Sequence, residues 1–147
     1  MNKLDQIVKP LENLYAKAPA LPVGAREFIV SVTPWLSLIF GVLTVLASLS
    51  AFGISAISSP LLALGGTSPV MLMLIAVFGL VEGVLMVVAF PSLRKKLLKG
   101  WNLIFLVELI SIVDSIFSFN PAAFIVDLIV AAIVFYFLFQ IKPYYKK

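Results

Sequence analysis

The chain has no cysteine and no histidine. The first absence excludes disulfides, thiolate metal sites and cysteine nucleophiles. The second removes the commonest metal ligand and the most frequent general base near neutral pH. Charge is scarce too: only 12% of the 147 residues are Asp, Glu, Lys or Arg, against about 25% in an ordinary soluble domain. No Lys or Arg lies inside any of the long apolar runs. Hydrophobic residues fill 62% of the chain, so it reads as a membrane protein although its length would suit one soluble domain.

A membrane-crossing helix needs about 20 apolar residues. Four segments meet this, near 34–56, 69–90, 101–119 and 121–141. Thr33-Pro34, Ser68-Pro69 and Asn120-Pro121 each place a capping side chain before a proline suited to the first helical position. Ser59-Pro60 does the same for a short stretch ending at Gly65-Gly66, which predicts one or two interfacial turns. The fold class expected is all-α: a four-helix membrane bundle occupying 33–141, preceded by a segment at 1–32 and followed by a basic tail at 142–147.

Charge placement sets the expected topology. Basic residues occupy the first segment (Lys3, Lys9, Lys17, Arg26), the loop after the second crossing (Arg94, Lys95, Lys96, Lys99) and the tail (Lys142, Lys146, Lys147). The loops near 57–68 and around Asn120 carry no charge. All eleven basic residues fall on one side if both termini are cytoplasmic in a plasma (inner) membrane. The net charge of +4 is thus a topology signal, and nucleic acid is not an expected partner. Asp5, Glu12 and Glu27 do not suit a secretory signal peptide.

Leu4, Ile7, Val8, Leu11, Leu14, Tyr15 and Ala18 recur at helical spacing opposite Lys3, Asp5, Lys9, Glu12, Asn13 and Lys17. This predicts an amphipathic helix along the inner surface, kinked or split at Pro10. Trp35, Trp101, Tyr144 and Tyr145 stand where interfacial anchors belong. Trp35-Leu-Ser-Leu-Ile-Phe40 and Trp101-Asn-Leu-Ile-Phe105 match in pattern, as do the spacings Pro69–Pro91 and Pro121–Pro143. Two readings stay open here: a tandem duplication of a helical hairpin, or features that membrane helices share by necessity.

The acids carry the most information. Glu82, Glu108, Asp114 and Asp127 all lie inside apolar runs. A carboxylate at membrane depth is costly and marks a functional candidate by default. Without a cationic partner in those runs, these four must be protonated, share protons, bind a cation or touch water. Depth counted at about 1.5 Å per residue predicts Glu82 and Glu108 in an inner layer and Asp114 and Asp127 in an outer one. A supporting polar stripe runs through Ser37, Thr44 and Ser48 on the first crossing and Ser111, Ser115 and Ser118 on the third. Gly79 and Gly83 form a Gly-x-x-x-Gly pair for close helix packing.

Two functions remain in competition. In one, the buried carboxylates handle protons or cations, as in a carrier or channel. In the other, they are neutral hydrogen-bonding glue in a non-transporting scaffold or accessory subunit. No enzymatic activity, cofactor or metal is expected, since no nucleophile–base pair or phosphate-binding glycine loop is visible. The expected partners are the lipid bilayer, anionic headgroups at Arg94, Lys95, Lys96 and Lys99, and a second copy of the chain.

The stretch Phe90-Pro-Ser-Leu-Arg-Lys-Lys-Leu-Leu-Lys-Gly-Trp-Asn-Leu-Ile-Phe105 resembles the central loop of small, uncharacterised four-crossing bacterial membrane proteins, whose basic loop also ends in Gly-Trp. The tail Leu138-Phe-Gln-Ile-Lys-Pro-Tyr-Tyr145 is similar to their C-terminal ends. The resemblance covers about a fifth of the chain and implies a bacterial inner-membrane location without an activity. In size the chain also resembles the small multidrug transporters. Those carry an essential acid in their first helix, where this chain has none, so that role is not transferred.

Overall fold

A computed structural model of the chain describes residues 3–64, 68–117 and 121–146. It is an all-α bundle: α1 (Lys3–Tyr15), α2 (Val23–Leu64), α3 (Pro69–Arg94), α4 (Leu98–Phe117) and α5 (Pro121–Ile141), then a 3₁₀ turn, Lys142–Tyr144. Four of the helices, α2 to α5, are long and apolar enough to cross a membrane. The basic residues and α1 gather at one end of the bundle, called here the basic end.

Of the four prolines read as helix starts, Pro69 and Pro121 do open α3 and α5, whereas Pro34 and Pro60 lie inside a helix. The first long helix begins at Val23, where Pro22 O accepts from Ala25 N and Arg26 N. It runs through Pro34 and Pro60 to Leu64. Pro34 removes one helix hydrogen bond, and Thr33 does not cap: its hydroxyl donates to Ile29 O at 2.6 Å within the same helix. The turns expected to begin at Ser59-Pro60 are the continuing end of α2. Ser68 does precede α3, in extended conformation but without a side-chain capping bond. Asn120 lies outside the described residues. At its far end α3 passes Pro91 and closes on Lys95, with Lys96 at φ 52°. There Lys96 N donates to Leu93 O and Leu97 N to Ser92 O, the double bond pattern of a Schellman cap.

The first helix is continuous through Pro10. Gln6, whose carbonyl loses its helical donor, is exposed and can be solvated. Instead of lying on lipid alone, α1 packs inward. Val8 is buried, and Leu4, Leu11 and Tyr15 pack beside it on a core that includes Trp101, Phe105, Phe135 and Phe139. Ile7 and Leu14 stay exposed. The linker after α1 is held by α5: Tyr136 Oη donates to Pro19 O at 2.6 Å, and Leu21 N donates to Gln140 Oε1 at 3.3 Å.

The α2–α3 contact is close because both helices present small residues. A Cβ placed on Gly83 would meet Gly41 O at 2.8 Å, and one on Gly79 would meet Ser48 Oγ at 2.6 Å. The Gly-x-x-x-Gly pair is therefore spent on a contact within the chain. Its partner α4 approaches α3 at Gly100, where a Cβ would sit 2.6 Å from Leu93 N, and at the other end Phe78 stacks on Phe117. The α4–α5 contact concentrates at the basic end, where Trp101 Nε1 donates to Leu138 O at 2.8 Å and the Phe105 and Phe135 rings meet at 5.3 Å. The two hairpins thus pack differently, whatever their common sequence pattern. Trp101 is fully buried whereas Trp35 is half exposed.

Tyr145 is buried as well, so neither it nor Trp101 is an interfacial anchor. The tail beside it is tied to the α3–α4 turn by Lys146 N to Lys96 O and Leu98 N to Lys146 O. Tyr145 Oη has no hydrogen-bond partner among the described residues, and burial pushes its hydroxyl up to about 12. The folded state therefore holds this proton more tightly than the unfolded chain, where the value is about 10. The resulting stability is intact below about pH 10 and is lost as pH rises toward 12. Tyr145→Phe removes both the titration and the unpartnered oxygen. It is expected to flatten the alkaline fall in melting temperature between about pH 9.5 and 11, read by thermal unfolding in detergent. An unchanged slope would exclude Tyr145 as its source.

Candidate functional site

Three of the four sequence-predicted acids gather on α3 and α4. Glu82, Glu108 and Asp114 are half-buried. The Phe78–Phe117 stack fixes the local register: one turn inward from each ring lie Glu82 on α3 and Val113–Asp114 on α4. The Leu93–Gly100 contact fixes the other end. Counted from that contact at about 1.5 Å per residue, Glu108 stands about 12 Å up the bundle, Glu82 about 16 Å and Asp114 about 21 Å.

The two expected layers are therefore one staggered ladder. Glu82 lies between Glu108 and Asp114 and interacts electrostatically with both, with Asp114 the stronger. The layer expectation took Pro91 and Trp101 as level. With Leu93 packed beside Gly100, Pro91 stands about 1.5 Å higher than Trp101, which moves Glu82 away from Glu108 and toward Asp114. Glu82 Oε1 and Asp114 Oδ1 are buried with no hydrogen-bond partner among the described residues. Among those residues no three carboxylates group closely enough to hold a metal ion.

Asp127 departs from the sequence expectation. It interacts with Asp114 but is exposed, as are all its neighbours from 125 to 130. The cause is the uneven contact of α4 and α5: their large aromatic residues meet at the basic end, and the other half of α5 stands clear.

The supporting stripe serves helix packing more than the acids. Ser37 is buried and donates to Met86 O on α3 at 2.6 Å. Ser48 is buried against Gly79 and donates to Thr44 O at 2.8 Å. Thr44 is half-buried in the same contact. Ser115 is buried and donates to Ile112 O, while Ser111 is exposed and Ser118 lies outside the described residues. In the basic loop Arg94 lies over the Trp35 and Phe90 rings at 5.5 and 5.6 Å, and Lys95, Lys96 and Lys99 are exposed.

In the sequence Arg26 stands out only as a topology charge, and Tyr136 and Gln140 carry no assigned role. Tyr136 and Gln140 hold the α1–α2 linker against α5, and Arg26 lines the cavity beside it. Their signal was weak: Tyr136 and Gln140 lie one turn apart near the end of the last run, a polar pair that invites a partner. No known family model, curated protein or solved structure matches the chain.

Proposed function

We propose that this is a non-enzymatic integral membrane protein that handles protons or monovalent cations, with transfer of protons along Glu108, Glu82 and Asp114 the form that best suits the geometry. Support comes chiefly from the two unpartnered carboxylate oxygens, Glu82 Oε1 and Asp114 Oδ1. A carboxyl group acting as glue should donate to a carbonyl or hydroxyl on the neighbouring helix. Instead Glu82 interacts electrostatically with both Asp114 and Glu108, and carboxyl groups coupled in this way take up and release protons as a set. The ladder rungs are spaced by less than one helical turn along the bundle. The absence of a three-carboxylate group among the described residues favours protons over a tightly ligated metal ion.

The orientation proposed is both termini cytoplasmic in a bacterial inner membrane, from the one-sided basic residues. Asp127 favours a homo-oligomer. A carboxyl group facing hydrocarbon is costly, and a second copy against the exposed half of α5 would cover it.

The test is proton flux in proteoliposomes under an imposed pH gradient. Wild-type protein is expected to dissipate the gradient. Glu82→Gln and Asp114→Asn should slow this at least tenfold, equivalent to about 1.4 kcal/mol or more in the barrier, with unchanged circular dichroism and elution. Absence of flux under any gradient, with variants that melt earlier in detergent, would leave the scaffold reading standing.

A further inference from the structure

At the basic end a cavity of about 210 Å³ opens between α1, the linker, the first turns of α2 and the end of α5. Its polar wall consists of Glu12, Tyr15, Arg26 and Gln140. Three of these groups are already engaged. Glu12 is ion-paired to Lys142 at 2.5 Å. Tyr15 Oη donates to Ala132 O at 3.1 Å. Gln140 accepts from Leu21 N through Oε1, and its Nε2 donates to Pro19 O. Arg26 is the exception: its Nε is buried and has no hydrogen-bond partner among the described residues. Glu27, the next residue along, is exposed, and Lys142 balances Glu12. The cavity thus holds one guanidinium without an ion-pair partner, whose buried Nε is unpaired among the described residues.

A buried donor of a charged group costs several kcal/mol if left unmade. An anion with several acceptor oxygens would satisfy it, and phosphate matches the planar guanidinium fork. The surroundings say where such a phosphate comes from. Thr33 lies on the same face of α2 as Arg26, two turns further into the bundle. It lines an apolar groove of about 290 Å³ with Ile29, Leu36, Val134 and Phe137. A headgroup phosphate on Arg26 would leave its acyl chain beside that groove. We infer that the Arg26 cavity is a specific site for the phosphate of an anionic glycerophospholipid, distinct from the exposed basic loop at Arg94–Lys99. The site does not depend on the carboxylate ladder.

The experiment is native mass spectrometry of the full-length protein in detergent, titrated with phosphatidylglycerol, phosphatidylcholine or inorganic phosphate. Wild-type protein is expected to retain one phosphatidylglycerol about tenfold more tightly than phosphatidylcholine. Arg26→Gln should abolish that preference and Arg26→Lys should keep part of it, because lysine retains charge without the fork. Lys95→Gln with Lys99→Gln should leave it unchanged. If Arg26→Gln does not fold, the wild-type lipid preference and the partial loss in Arg26→Lys carry the test. Equal retention of both lipids by wild type would overturn the proposal. So would loss of binding only in the Lys95/Lys99 variant, or inorganic phosphate displacing the lipid at equal concentration.

Discussion

Replacing Gly83 with leucine is expected to pull α2 and α3 apart. Even the first added carbon would stand 2.8 Å from Gly41 O and 2.9 Å from Val45 N. Both atoms are backbone, so no rotamer change relieves the clash and the helices themselves must move. Alanine at this position should cost about 1–3 kcal/mol, the usual range for overpacking. Leucine should exceed it, because separation also breaks the Ser37–Met86 hydrogen bond and opens the buried face at Ser48. Gly53 is the natural control. Nothing lies within 4 Å of a Cβ built there, so Gly53→Ala should be neutral or gain up to about 1 kcal/mol from helix propensity. Thermal unfolding of the three variants in one detergent reads the difference. Wild-type stability in Gly83→Leu would mean that α2 and α3 do not cross at this glycine.

Trp101→Ala should be the most damaging substitution at the basic end. The side chain is fully buried. It stacks on Phe105 at 5.3 Å, meets Phe139 at 5.6 Å and donates to Leu138 O. Lys142 Nζ lies 5.4 Å from its ring centroid. Truncating a buried tryptophan costs about 3–5 kcal/mol, and here the loss falls where α1, α4, α5 and the tail converge. Trp101→Phe keeps much of the packing and removes the indole donor, so about 1–2 kcal/mol is expected. Hydrogen exchange adds a local readout. The amides of Leu98 and Lys146, which bond the tail to the α3–α4 turn, should lose protection in Trp101→Ala before the α2–α3 amides do. Uniform loss across the bundle would show that Trp101 is not the local anchor of the tail.

The candidate acids are conspicuous in the sequence, whereas their arrangement is not. A carboxylate in an apolar run is conspicuous because hydrocarbon penalises it whatever its neighbours, and so all four acids could be named. Their relative depth depends on how far α3 runs past Pro91 and where Leu93 meets Gly100, which no single helix encodes. The outward position of Asp127 follows from aromatic packing at the opposite end of α5. Arg26 illustrates the same limit: its charge is visible in the chain, but its unpartnered Nε exists only once the linker and α5 close around it.

Helix type and number follow from local energetics. Every backbone amide in hydrocarbon must be satisfied within its own helix, so an apolar run of sufficient length dictates a helix wherever it packs. The one-sided basic residues carry their orientation signal in the same local way. Contact faces have a different origin. Trp35 and Trp101 occupy like positions in like patterns, yet one is half exposed and the other wholly buried. Lipid is as apolar as a leucine side chain, so hydrophobicity cannot choose which face turns inward. That choice rests on the fit of two or more surfaces, glycine against backbone and ring against ring, and it is made only when the helices meet.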